Sequence, residues 1–69
     1  MILKSYSKKE LAIAYSPDIT VGAAVNKLMI WINLNPELTK ALESLGYHKN
    51  LKILTKKMVE EIFFYLGEP

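Results

Sequence analysis

Asn26 and Lys27 stand side by side in a segment with helical spacing, and their side chains suit contact with a nucleic acid better than any others in the chain. An asparagine amide offers a donor and an acceptor that match the edge of adenine, and a lysine reaches guanine or a phosphate. Thr20, Gly22, Ala23 and Ile30 share their side of that segment, and the small residues among them permit close approach. Lys8, Lys9, Lys49, Lys52, Lys56 and Lys57 add charges suited to neutralising phosphates. The formal net charge is nevertheless only +2, and all nine basic residues are lysine. Arginine makes the commonest base-specific contact, a bidentate pair to guanine, and this chain has none. Ile30 is also an apolar residue on an otherwise polar face.

Each of these residues has a plainer explanation when taken alone. Surface lysines solubilise, two helices joined by a turn recur in most small helical domains, and Trp31 suits a core anchor better than a ligand contact. Their combination is what points to DNA: a basic start, a second helix with small residues, and a turn flanked by lysines before the last helix. Ile30 and Phe64 motivate a second class of function. Phe64 falls on the outer face of the last helical segment with Lys57, Glu60 and Glu61, which suits a homodimer or a docked protein partner.

Catalytic chemistry finds no foothold. His48, the single histidine, sits between Tyr47 and Lys49 in an expected turn, where an exposed and silent imidazole is the ordinary outcome. Glu60 and Glu61 are neighbours on a helix and diverge by about 100°, as on a solvated face rather than in an acid/base pair. Three scattered glycines make no phosphate cradle. One histidine without cysteine gives no metal-binding set. The expectation is a non-enzyme with no cofactor and no metal.

Capping chemistry defines the elements that position these residues. Ser7-Lys8-Lys9-Glu10 is a capping box, and Tyr6 and Leu11 are spaced to staple the chain across the start of a first helix. Leu11, Ala14 and Tyr15 continue its inward face, and Ser16-Pro17-Asp18 ends it. A second helix is expected from a cap at Asp18 or Thr20 to about Asn33, with Val21, Ala24, Val25, Leu28, Trp31 and Ile32 turned inward. Asn35-Pro36-Glu37 opens a third, with Leu38, Ala41, Leu42 and Leu45 inward and Gly46 as its stop. Thr55 caps the last helix, Leu54 and Val59 staple it, and Val59, Ile62, Phe63 and Leu66 form its core stripe up to Gly67.

Between Tyr47 and Leu54 the pattern breaks, with a turn at Lys49-Asn50 and an extended piece at Leu51-Lys52-Ile53-Leu54. That piece suits either a small hairpin or pairing with Ile2-Leu3-Lys4. The fold class is therefore mainly α: a compact four-helix, helix-turn-helix-like single domain over residues 1–69, with a minor β element before the last helix. A chain of this size buries only about 60% of its unfolded surface, so packing or self-association must stabilise it. No apolar run approaches the ~18 residues of a membrane span, and no secretory signal opens the chain, which makes the cytoplasm the expected compartment.

Two resemblances rest on these residues. Tyr6-Ser7-Lys8-Lys9-Glu10-Leu11-Ala12, a helix ending near Trp31-Ile32, Gly46-Tyr47 and Leu54-Thr55 resemble the MerR and excisionase type of winged helix-turn-helix, which implies DNA binding through the second helix with the Lys49-Asn50 turn as a wing. The same first segment, with Leu28-Met29-Ile30-Trp31-Ile32-Asn33, Leu45-Gly46-Tyr47 and Tyr65-Leu66-Gly67-Glu68-Pro69, resembles a domain-of-unknown-function family of small proteins from gut Bacteroidetes. That resemblance implies a bacterial source and a full-length small protein, and supplies no mechanism. The resemblance implies basic residues, as members often carry them, around the positions of Asn26, Lys27 and Ile30, of which this chain keeps only Lys27.

Overall fold

The computed structural model describes residues 1–69. Its elements run β1 (Tyr6–Ser7), α1 (Lys8–Tyr15), α2 (Val21–Asn33), α3 (Pro36–Ser44), β2 (Ile53–Leu54) and α4 (Lys56–Leu66). Each helix begins where a side chain relieves its first unpaired amides. The Ser7 hydroxyl accepts from the Glu10 amide while the Glu10 carboxylate accepts from the Ser7 amide, closing the capping box. Thr20, Asn35 and Thr55 cap α2, α3 and α4 through the amides of Ala23, Leu38 and Met58. Of the two caps the sequence allows for α2, Thr20 is the one used.

The end of α3 explains why a glycine is needed there. The Gly46 amide donates to the Glu43 carbonyl and the Tyr47 amide to the Leu42 carbonyl, each at 3.0 Å. This crossed pair requires a positive φ at the residue between, and Gly46 has φ +97°. The chain is thereby turned back toward α1.

Twelve buried apolar residues form one core: Tyr6, Leu11, Ala12, Ala24, Leu28, Ile32, Leu38, Leu42, Leu54, Met58, Val59 and Ile62. The helices pack in chain order, α1 on α2, α2 on α3 and α3 on α4. Both stapling pairs lie in the core, Tyr6 with Leu11 and Leu54 with Val59. Two residues expected inward are instead exposed. Val21 is the first residue of α2, a turn before the helix reaches the core at Ala24, and Leu45 lies just beyond the last turn of α3. Both continue a periodicity past the point where a neighbour exists to cover it. No helix is long and apolar enough to cross a membrane.

β1 and β2 pair antiparallel, Tyr6 opposite Leu54 and Ser7 opposite Ile53. The extended piece before α4 thus pairs with the N-terminal segment, at Tyr6–Ser7 rather than at Ile2-Leu3-Lys4. The sheet closes the ring of helices by joining the start of α1 to the start of α4. At the opposite end of α1, the Tyr15 hydroxyl donates to the Gly67 carbonyl and its ring meets Trp31 edge-on at 6.0 Å.

Burial, with a smaller contribution from the Glu68 charge, pushes the Tyr15 phenol up from 10.0 to about 12. A phenol raised in the folded state contributes stability that is intact below pH 10 and lost as pH rises toward 12, because the unfolded chain releases that proton first. Denaturant titrations should therefore show wild type more stable than Tyr15→Phe at neutral pH, by about 1 kcal/mol for the lost hydrogen bond, with the gap narrowing between pH 10 and 12. A pH-independent gap would separate the phenol from this clasp.

Candidate nucleic-acid interface

The pairing of β1 with β2 places the first turn of α1 beside the turn that precedes β2. His48 and Leu51 close that turn, with the Leu51 amide donating to the His48 carbonyl at 3.0 Å and Lys49-Asn50 at its tip. Between the turn, α1 and α2 lies an open cleft of about 520 Å³. Its apolar lining is Val25, Leu51 and Ile53, and its basic lining is Lys8, Lys9, Lys49 and Lys52, joined by Ser7 and Asn50. No acidic residue lines it.

Lys8 differs from the other three lysines. Its amide donates to the Lys52 carbonyl at 2.8 Å and its ammonium to the Lys49 carbonyl at 2.9 Å, while the same ammonium lies 5.5 Å from the centre of the Tyr47 ring. Burial lowers its pKa from the ordinary lysine value, since a neutral carbonyl and a ring compensate lost hydration less fully than a carboxylate would. Lys8 is thus a strap that holds the turn against α1. Lys9, Lys49 and Lys52 are exposed, and no lysine in the chain pairs with a carboxylate, the one ion pair being between the Met1 amine and Glu68.

Of the residues the sequence nominates for DNA contact, the structure gathers Lys8, Lys9, Lys49 and Lys52 around this cleft. It sets Lys27 apart. Val25 lines the cleft, and Lys27 lies roughly 200° further around α2 at 100° per residue, on the flank where its ammonium sits 5.2 Å from the Trp31 ring. Asn26 and Ile30 are exposed on the outer strip of α2 between the two flanks, with Gly22, Ala23 and Asn33. Thr20 is exposed at the head of the helix, where its hydroxyl is already accepting the capping bond. Lys56 and Lys57 are exposed on the first turn of α4, outside the cleft lining. Ile30 and Phe64, nominated together as partner contacts, face out of α2 and α4, which are not principal packing partners.

Sequence reasoning did not find the cleft itself or the strapping role of Lys8, because both depend on contacts between residues about forty positions apart. Tyr47 was also missed, although an aromatic residue directly after a helix-ending glycine is a visible sign that something nearby is covered.

One comparison bears on this arrangement. The family model described as Domain of unknown function (DUF4248) matches residues 2–69. The chain belongs to that family. The match spans all six elements, so the lysine cleft and the outer face of α2 lie within the family's domain rather than in an added segment. No curated protein and no solved structure matches the chain.

If Lys8 is the strap, Lys8→Ala should speed amide hydrogen exchange at Leu51 by about tenfold or more, whereas Lys9→Ala should leave it unchanged. Equal effects of the two substitutions would remove the distinction.

Proposed function

We propose that this domain binds double-stranded DNA, with the outer strip of α2 turned toward the major groove and the cleft lysines against the phosphates beside it. The observation that carries the reading is the convergence of Lys9, Lys49 and Lys52, none paired with an acid, on one cleft beside α2. Free ammonium groups with no carboxylate to release are what phosphate neutralisation requires. The form of α1 and α2 adds support: an eight-residue helix, a turn at residues 16–20, and a thirteen-residue helix whose outer strip is narrow and mostly uncharged. A helix seated in the major groove runs between two phosphate rails. Here the cleft lysines flank one side of the strip and Lys27 the other.

In this reading the Lys49-Asn50 turn acts as a wing, in the manner of the MerR and excisionase type of winged helix-turn-helix. Asn26 contributes base contact, and Ile30 packs against a thymine methyl or sugar. Phosphate contacts outnumber base contacts, so binding is weak and broad in sequence preference. The function is that of a small bacterial regulatory or architectural module of the cytoplasm, without catalysis.

Fluorescence anisotropy of a labelled duplex between about 50 and 200 mM salt tests this, because log affinity falls with log salt by about 0.9 for each phosphate neutralised. Lys9→Ala/Lys49→Ala/Lys52→Ala should reduce the slope by two to three, as roughly that product of contacts and 0.9 requires, with the circular dichroism spectrum unchanged. Lys56→Ala/Lys57→Ala should change it much less. Absent binding at low salt, or equal losses from the two variants, would rule the interface out.

A further inference from the structure

Phe64 is the most exposed large hydrophobic residue in the chain, at 78%. Its ring lies edge-on to Tyr65, with centroids 5.0 Å apart and planes at 89°, and projects from α4 as an aromatic knob. Glu60 and Glu61 lie one turn before it on the same side of α4. Neither pairs with a lysine of its own chain. Lys57 lies one turn further back on the same face, so the acids form a collar on one side of an aromatic knob, between it and that lysine.

The cleft beside α1 has the opposite character. Its apolar lining is Val25, Leu51 and Ile53, the last 56% exposed, and its exposed lysines, Lys9, Lys49 and Lys52, are unpaired. Its volume of about 520 Å³ accommodates an aromatic side chain with room at the rim for flanking carboxylates. The cleft and the knob therefore match in polarity at the centre and in charge at the edge, the arrangement that buries an aromatic anchor inside a polar rim.

We propose that the Phe64 face of one copy docks in the lysine cleft of a second copy. The Phe64 ring lies over Val25, Leu51 and Ile53, and Glu60 and Glu61 meet the ammonium groups of Lys9, Lys49 and Lys52. Two different patches meet, so the contact is heterologous and closes into a pair only when both copies engage reciprocally. One knob in one cleft is a small interface, and the association is weak, reversible and salt-sensitive. The proposal does not rest on DNA binding. Where both occur, they compete for the same lysines, and self-association occupies the surface that a phosphate backbone would use.

Sedimentation equilibrium of the full chain without nucleic acid tests the contact. The weight-average mass should rise with protein concentration at low salt, fall back toward the monomer at high salt, and remain monomeric for Phe64→Ala, whose exposed position leaves the fold intact. Glu60→Lys/Glu61→Lys and Lys49→Glu/Lys52→Glu should each be monomeric alone and associate when mixed, because the reversed face then meets the reversed cleft. A wild-type protein that stays monomeric at millimolar concentration overturns the proposal while leaving the DNA titration to stand by itself. Association that survives Phe64→Ala, or that mixing the charge-reversed variants fails to restore, overturns it as well.

Discussion

Two residues of β1 against two of β2 form a sheet too small to persist in isolation, yet the gathering of the cleft lysines depends on it. Its survival comes from its neighbours. Tyr6 and Leu54, opposite each other in the pairing, are both core residues, and the next residues along each strand are helix caps or their first turns. One short stretch of backbone thus fixes where α1 and α4 begin and which way they leave. The bond from the Lys8 amide to the Lys52 carbonyl extends the ladder by one step, and that step brings Lys8 and Lys9 alongside Lys49 and Lys52. Without the pairing these lysines would belong to unrelated parts of the surface.

Concentrating like charges has an electrostatic cost that the local structure partly offsets. Lys8 directs its ammonium to the Lys49 carbonyl and the Tyr47 ring, which gives the partly covered cation dipoles in place of some of its water. The other three remain in solvent, where screening keeps their mutual repulsion small. Carboxylates are absent from the lining, and Glu60 and Glu61 of α4 stay unpaired with lysine. Every charged residue of the cleft lining is basic, while α4 carries Lys56 and Lys57 a turn before Glu60 and Glu61, and the unpaired cleft lysines are the common basis of both proposals. In both proposals free lysines interspersed with apolar residues meet either a phosphate backbone or acids beside an aromatic ring, and the proposed gain comes from charges that the fold leaves uncompensated.

Most of the fold was legible because its signals are local. Ser7, Asn35 and Thr55 act within three residues of themselves, and the stops at Gly46 and Gly67 within four, so those interactions are written in nearby letters. The inward stripes of the helices read correctly wherever a neighbour lies across from them, and failed at Val21 and Leu45, where the helix overhangs the core. The site was legible only as a set of residue types. Lys8, Lys9, Lys49 and Lys52 were nominated as basic residues, but nothing local distinguishes them from Lys56 and Lys57, and the cleft arises from register between segments distant in sequence. Lys27 reads as part of the same group until the helix geometry places it on the far flank with Trp31. Its two sides are distinguishable only once it is known which one Val25 turns toward the cleft.

The proposed surface for duplex DNA joins the cleft lysines to the outer strip of α2. Amide chemical-shift mapping by nuclear magnetic resonance, with unlabelled duplex added to the labelled protein at low salt, tests it most directly. Shifts should concentrate at Ser7 to Lys9, at Lys49 to Ile53 and along the outer side of α2 from Gly22 to Asn33, with α3 unmoved. Shifts centred on α3 or the outer face of α4, or a spectrum indifferent to DNA, would contradict it.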